Sequence, residues 1–491
     1  MSKQQRVMTN TYYQEKYRPH VHFTPESMWM NDPNGLVYFE EEYHLFYQYH
    51  PDGKTWGPMH WGHAVSRDLL TWRHLPLALF PDEIGMIFSG SVVVDWNNTS
   101  GFFKDGEPGL VAIFTHATGD LQRQSVAYSK DNGRTWEKYV HNPVIDNDNI
   151  TDFRDPKVFW HEDSSQWIMV LTIGRRVRFY ASNNLIDWFT LSDFGENWGA
   201  QDGVWECPDL FMLTNEDTEE KKWVLQIGVD DGAYAGGSGT QYFVGNFDGT
   251  VFTPDQNPSD VRWIDVGKDF YAAQSFSDMP DDRRIIIAWM SNWTYAEDIP
   301  TDPWRSAMTL PRELKLCTID GCETVVQQPV SELTQLRSVT HDIGRVAVSR
   351  ERPFRMRQPN APFEIEFDIE HINGKLECHF FKTGKESFIF SIDNEKSTIE
   401  RKHFFTDDFS DSFYSLTSAP LPYGTPLRLR AVCDHSSVEW FINDGTQTST
   451  HLFFPTDTTE YNISFQVQSG DVNIKDLSIY ELQSVWSNPD Q

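Results

Sequence analysis

The sequence is short of several things, and each shortage removes a class of explanation. It has only five cysteines, an odd number, with no C-x-x-C pair. Cys317 and Cys322 lie close together without a matching histidine pair, so neither a disulfide framework nor a zinc site is indicated. Free thiols in a reducing compartment are the simpler expectation. No apolar run is long enough for a membrane-spanning helix. The first ten residues are polar, which points to a cytoplasmic protein, with a secreted mature form as the alternative. Basic residues are scarce: 41 Lys and Arg stand against 72 Asp and Glu, a formal charge of −31. Such a surface repels nucleic acid and anionic membranes and disfavours a highly anionic polymer substrate. Long helical periodicity is also scarce.

Aromatic residues are plentiful. They make up 14% of the chain and include 18 Trp. Tryptophan offers a flat apolar face with one N–H, suited to stacking on sugar C–H faces as well as to core packing. With 491 residues the chain exceeds one hydrophobic core, so two or three domains are expected.

A repeat organises the first 325 residues. Five segments begin with a polar or acidic turn and run into an apolar strand: 31–39, 88–94, 153–160, 205–213 and 270–276. Each is followed by a second strand, at 43–49, 110–116, 167–173, 223–229 and 285–292. Three units add a Ser, a short polar turn and a Trp, at Ser66–Trp72, Ser129–Trp136 and Ser182–Trp188. Units of this length make four-stranded sheets that cannot each bury two faces alone, and radial packing into a β-propeller solves this. The turns entering the first strands then gather at one end of a central channel. Asp32, Ser89, Asp155, Glu206 and Tyr271 converge there. A propeller is expected at 20–325, a linker with a short helix near Ser331–Leu336 at 326–339, and a second domain at 340–485. In the last, Phe363, Ile365, Phe367 and Ile369 alternate with acids, as one buried and one wet face of an antiparallel β-sandwich require.

Three acids open predicted inner strands. Asp32 lies in Trp29-Met30-Asn31-Asp32-Pro33-Asn34-Gly35, Asp155 in Phe153-Arg154-Asp155-Pro156, and Glu206 in Trp205-Glu206-Cys207-Pro208-Asp209. Alone, each is an ordinary turn or edge residue. Their equivalent placement in three repeats fits cleavage of a glycosidic bond, which needs one ionised and one protonated carboxyl group. Arg154 beside Asp155 favours that carboxylate's ionisation, and the apolar neighbours of Glu206 favour its protonated form.

These motifs, with F-S-G-S at 88–91, F-Y-A-A-Q at 270–274, W-M-S-N-W at 289–293, P-W-R-S-A at 303–307 and P-R-E-L at 311–314, resemble the family 32 glycoside hydrolases: invertases, exo-inulinases and levanases. D-H-S-S-V-E at 434–439 resembles the family's sandwich signature, with His435 where Arg is usual. The resemblance implies an all-β fold, a five-bladed β-propeller followed by a C-terminal β-sandwich, and a retaining mechanism on β-fructofuranosides without metal or cofactor. It implies Asp32 as nucleophile, Glu206 as general acid and base, and Asp155 as a stabiliser of the transition state. Asn31, Gln48, Trp56, Ser89, Arg154, Tyr271 and Trp293 would line the fructose pocket. His60 could border the site. Trp61, Phe80, Phe114 and Trp304 are either platforms near the leaving group or packing. A fructosyltransferase and a non-catalytic fructan-binding protein are the competing readings. The substrate is a small or polymeric fructoside, and the oligomeric state is left open.

Overall fold

A computed structural model describes residues 12–486 except 105, 148, 383–386, 403–408, 422–426 and 456–460. The N-terminal segment read above as polar, 1–10, lies outside the described residues. Strands dominate. Five sheets of four or five strands, one per sequence repeat and antiparallel but for one short parallel pair, precede a ten-stranded sheet. The inner strands are Met28–Phe39, Met86–Val94, Phe153–His161, Trp205–Thr214 and Tyr271–Ser275, the five segments expected to line the channel. Trp304–Arg305, on the connection between the second and third strands of blade 5, pairs in parallel with Met28–Trp29, so blade 5 is bonded to blade 1 and the ring closes.

Each pair of neighbouring blades has its own hydrophobic cluster. Phe46, Val92 and Phe114 join blades 1 and 2, and Val111, Val158 and Met169 join blades 2 and 3. Val170, Phe179 and Leu225 join blades 3 and 4, Phe211, Val244 and Ile286 join blades 4 and 5, and Leu45, Tyr47 and Ile285 complete the circle. A blade alone would leave these faces wet, and removing that apolar area from water drives the radial packing. Gly35 marks a tight point. With φ at 52°, it sits where a Cβ would lie 2.7 Å from Val92 and 2.8 Å from Phe46.

The Ser–turn–Trp signature is the connection between the third and fourth strands of a blade. Asp68 Oδ1 accepts N–H bonds from Leu70 and Thr71, at 2.9 and 2.6 Å, and Asn184 Oδ1 accepts from Ile186 and Asp187, at 3.0 and 2.8 Å. Asp131 Oδ1 accepts from Thr135 at 2.8 Å. The indole N–H of Trp72, Trp136 and Trp188 donates to the carbonyl three residues back in each case. These are Asx turns closed by a side chain, the reason Asp and Asn recur there.

The inner strands share a second device. In all five the ladder to the next strand slips so that two residues oppose one: at 31–32, 88–89, 155–156, 207–208 and 272–273. Asp155, Cys207 and Ala272 take positive φ there, at 65°, 47° and 51°. A β-bulge re-aims side chains out of the alternating pattern. Five in a ring turn the first residues of every blade toward one point.

The C-terminal domain is a β-sandwich built around two long strands, Phe363–Lys382 and Asn462–Leu482. The first half of Phe363–Lys382 pairs with Leu427–Cys433 and its second half with Ser387–Ile392. Phe363, Phe390, Trp440 and Ile479 belong to its core, where Phe390 stacks on Trp440 at 3.9 Å. The expected wet face is not uniformly wet. Glu364 is fully buried because Arg337 and Arg430 reach it, at 2.7 and 2.5 Å, from neighbouring segments. The 326–339 stretch holds the end of a blade 5 strand, a 3-10 turn over Ser331–Leu336 and the start of a sandwich strand.

The two domains meet through buried polar groups. Arg312 of the propeller bonds Glu439 of the sandwich (Nε to Oε2, 2.9 Å) and Asp265 (Nη1 to Oδ2, 2.9 Å). His22 lies between Asp434 and Glu439, and Arg401 reaches back to Asp269.

Candidate active site

The bulges of blades 1, 2 and 3 open onto a pocket of about 360 Å³. Nine of the ten residues expected there line it. The tenth, Tyr271, is fully buried in the wall, where its hydroxyl donates to Glu206 Oε2. Phe88, Gln122 and Asp152 also line the pocket and were not anticipated. Phe88 adjoins Ser89 and Asp152 lies two residues before Arg154, so both were within reach of the motifs. Gln122 sits on a hairpin with no signature at all.

Asp32 is buried and held by three donors. Asn31 Nδ2 donates to Oδ1 at 3.0 Å, and Ser89 Oγ to Oδ2 at 2.6 Å. The Cys207 thiol lies 3.3 Å from Oδ2. Asn31 is itself oriented by Trp29, whose indole N–H donates to Asn31 Oδ1 at 2.8 Å. Trp293 stacks on Trp29 at 6.0 Å and forms part of the pocket wall. Asp155 Oδ2 accepts the Cys207 N–H at 2.9 Å, and its own N–H donates to Thr115 Oγ1 at 3.1 Å. Gln48 donates to the Ile87 carbonyl at 3.0 Å. Trp56 stands at the mouth, 42% exposed, its ring edge-on to Phe88.

Arg154 lines the pocket and its charge favours ionised Asp155, as expected, but it also serves a second acid. Its guanidinium bonds Glu206 Oε1 through Nε and Nη2, at 3.1 and 3.0 Å, and Asp152 Oδ1 through Nη1 at 2.6 Å. Its hydrogen bonds therefore go to Glu206 rather than to its sequence neighbour Asp155. Glu206 accordingly has charged and polar partners, Arg154 and Tyr271, and not only the apolar neighbours that its local sequence suggests.

Burial dominates the electrostatics. It raises Asp32 above the usual carboxylate range, and the nearby charge of Glu206 adds to this, while the bonds from Ser89, Asn31 and Cys207 pull the other way. Burial pushes Asp155 up to about 7 against the pull of Arg154, with the charges of Glu206 and Asp32 raising it further. Tyr271 is raised well above its ordinary value by burial and by Glu206, so it keeps its proton and donates. Asp32 and Asp155, buried side by side near the charge of Glu206, are thus both pushed toward keeping a proton.

Of the four aromatic residues read as platform or packing, Trp61, Phe114 and Trp304 are buried and pack, whereas Phe80 is 52% exposed. His60 packs edge-on against Phe80. His44 and His63 bond one another at 3.1 Å in the blade 1 interior. Among the described residues no group of three or more His, Cys, Asp or Glu is arranged to hold a metal ion. A larger cleft, about 720 Å³, lies where the N-terminal segment meets the sandwich. Its acids Glu15 and Asp434 are taken up by Arg18 and His22, so the smaller pocket is the one equipped for chemistry.

Comparison with known proteins agrees with this fold. The profile of the glycosyl hydrolases family 32 N-terminal domain matches residues 22–329, and that of the family 32 C terminal matches 332–481. A levanase of Bacillus subtilis (strain 168) is 49% identical over 488 residues, covering 97% of this chain and 72% of the levanase. The crystal structure of the exo-inulinase from Aspergillus awamori superposes with a TM-score of 0.89 at 36% identity, covering 96% of this chain and 100% of that one. A fructofuranosidase variant from Schwanniomyces occidentalis, complexed with fructosylnystose, gives 0.88 at 35% identity, covering 96% and 98%. The chain belongs to glycosyl hydrolase family 32 and is a glycosidase.

Proposed function

We propose that the protein is a retaining β-fructofuranosidase that removes terminal fructosyl units from levan, inulin, fructo-oligosaccharides and sucrose. The observation that carries this reading is the arrangement around Cys207. Its N–H bonds Asp155 and its thiol reaches Asp32, while its neighbour in sequence is Glu206, so three carboxyl groups from three blades border one small pocket.

In the first step an oxygen of Asp32 attacks the anomeric carbon of the fructosyl unit. The bond to the leaving sugar breaks and Glu206 gives its proton to the departing oxygen. Ser89 and Asn31 hold the Asp32 carboxylate, which leaves it one orientation for attack. Positive charge grows on the ring in the transition state. Asp155, deep in the pocket, faces that charge and the fructose hydroxyls. In the second step Glu206 takes a proton from water, the water oxygen attacks the same carbon, and Asp32 is released. Two inversions give net retention. Glu206 is less buried than Asp32 or Asp155, as a group that meets leaving sugar and water must be. Arg154 and Tyr271 hold both of its oxygens in place.

Incubation with sucrose, levan, inulin and short fructo-oligosaccharides, with Asp32→Ala and Glu206→Gln alongside, tests this. Free fructose alone, lost in both variants, with the β-configured product seen first by NMR, is the expected result. Longer fructosylated products would replace hydrolysis by transfer. Inverted product would replace the two-step mechanism, and binding without turnover in all three proteins would leave a fructan-binding protein.

A further inference from the structure

The mouth of the pocket has two unlike sides. Over blades 3 and 4 the rim is acidic. Asp152 pairs with Arg154, and Asp202 packs against Gly232, beside Asp230 and Asp231. Over blade 1 the rim is aromatic. Trp56 lies on the loop between the second and third strands, leaning on Phe88. Four residues later His60 opens the third strand, and its ring meets Phe80 edge-on at 5.7 Å. Phe80 follows directly on the fourth strand, Trp72–Leu79, whose last residue pairs with Trp61. Phe80 and Trp56 are therefore at the same end of blade 1, with Phe80 one strand farther from the channel axis.

Phe80 is exposed on a segment that is firmly held. Lys138 Nζ donates to the Phe80 carbonyl and to Asp82 Oδ2, each at 2.5 Å. The Asp82 N–H donates to Gly85 O at 3.1 Å, and Thr118 Oγ1 donates to Ile84 O at 2.6 Å. The Trp56 loop is pinned in the same manner, by Trp29 N–H to Gly53 O at 2.9 Å and by His50 Nδ1 against Thr55 O at 2.9 Å. Two large aromatic faces, 42% and 52% exposed, are thus presented in fixed orientation, joined by the half-buried His60. An ordered aromatic face loses little side-chain entropy on binding, which is what a weak, repeated sugar contact requires.

We infer that Phe80 is a platform for a fructosyl unit of a polymeric substrate beyond the sugar that leaves, so that the chain of a fructan runs outward over blade 1 across Trp56 and Phe80. This deepens the reading above and rests on it. A disaccharide ends before Phe80, whereas a chain of several units reaches it. Phe80 therefore sets preference for chain length and leaves the bond-breaking step unchanged.

The test compares wild type, Phe80→Ala and Phe80→Trp on sucrose, a trisaccharide, and long-chain levan and inulin, with thermal melts run in parallel. In Phe80→Ala, kcat/KM on at least one polymer is expected to fall about 5- to 10-fold, while sucrose changes by less than about twofold. Phe80→Trp restores the polymer value. Equal changes on sucrose and polymer, or no change on either, would overturn the inference while leaving the proposed activity intact. Wild-type protein that releases no fructose from any fructan would remove the activity itself, and that outcome is seen before any variant is compared.

Discussion

The Cys207 thiol lies 3.3 Å from Asp32 Oδ2, although the two residues are 175 positions apart and belong to different blades. Cys207 has positive φ at its bulge, and there its side chain is turned toward Asp32 while its N–H faces Asp155. Burial raises the thiol well above its usual value, and the charges of Asp155, Asp32 and Glu206 add to this. It therefore remains S–H and acts as a donor. Cys207→Ala is expected to reduce kcat about 10-fold through loss of a hydrogen bond to a charged group, and Cys207→Ser to keep most of the rate. A Cys207→Ala enzyme with wild-type kcat would show that the thiol is only filling space.

Tyr271 is placed to act on Glu206 without touching Asp32 or Asp155. Its ring packs closely over Gly228, where an added Cβ would lie 3.0 Å from Cε2, and its hydroxyl reaches Glu206 Oε2. Tyr271→Phe keeps the packing and removes the donor. Steady-state kinetics on sucrose should show kcat/KM down by about 10- to 100-fold, with a melting temperature close to wild type. A large drop in melting temperature with little kinetic change would assign Tyr271 a structural role instead.

The elements of the propeller were readable because each repeat carries its own local signals. The turn before each inner strand and the Asp or Asn of each Asx turn act over a few residues, so no distant partner is needed to see them. The acids Asp32, Asp155 and Glu206 were readable for the same reason, as carboxylates near the starts of three inner strands, although Asp32 is the second residue of its bulge, Asp155 the first and Glu206 the one before. The slip of register at each inner strand was not. It depends on which residue leaves the ladder with a partner strand, and nothing in Asp155-Pro156 or Cys207-Pro208 states that. The sequence shows the pull of Arg154 on Asp155 but not its hydrogen bonds to Glu206 on the next blade. Gln122 and Thr115 reach the site through hairpin pairing alone, and the contact of His22 with residues more than 400 positions away has no local trace.

Arg401 ties the sandwich to the pocket wall. Its Nη1 donates to Asp269 Oδ2 at 2.7 Å and to Leu452 O at 3.0 Å, and its Nη2 to the Tyr295 hydroxyl at 3.2 Å, all buried. Asp269 lies two residues before Tyr271, and Tyr295 two after Trp293. Arg401→Met leaves Asp269 buried without its cation, which costs about 3–5 kcal/mol in comparable pairs. Thermal unfolding should show a clear loss of stability, and KM for sucrose should rise as the wall carrying Tyr271 and Trp293 loosens. An unchanged melting temperature would mean that the domains are held together elsewhere.

His22 makes the junction between the domains sensitive to pH. Its Nδ1 lies 2.8 Å from Asp434 Oδ2 and its Nε2 2.8 Å from Glu439 Oε1, with all three side chains buried. Burial opposes a charged imidazole, but the hydrogen bonds with Asp434 and Glu439 outweigh it, and His22 is raised from 6.5 to about 9. A histidine raised on folding stabilises the folded state while it is protonated in both states' reference range. The contribution is therefore complete below about pH 6.5 and is lost as pH climbs toward 9. The shift corresponds to an effect on the order of 3 kcal/mol. Asp434 works in the opposite sense. Burial would raise it, but His22 and His435 hold it well below the usual range, so its contribution is present above the ordinary aspartate value and falls away in acid. His435 also packs against His20 at 4.3 Å and bonds the same carboxylate through Nδ1 at 3.2 Å. Urea unfolding between pH 6 and 9.5 should show the wild type losing stability across this window. His22→Asn, weaker at pH 6, should give a flatter profile that approaches the wild type near pH 9.5. Parallel profiles would place the alkaline transition on another group and leave His22 as a neutral hydrogen-bonding spacer.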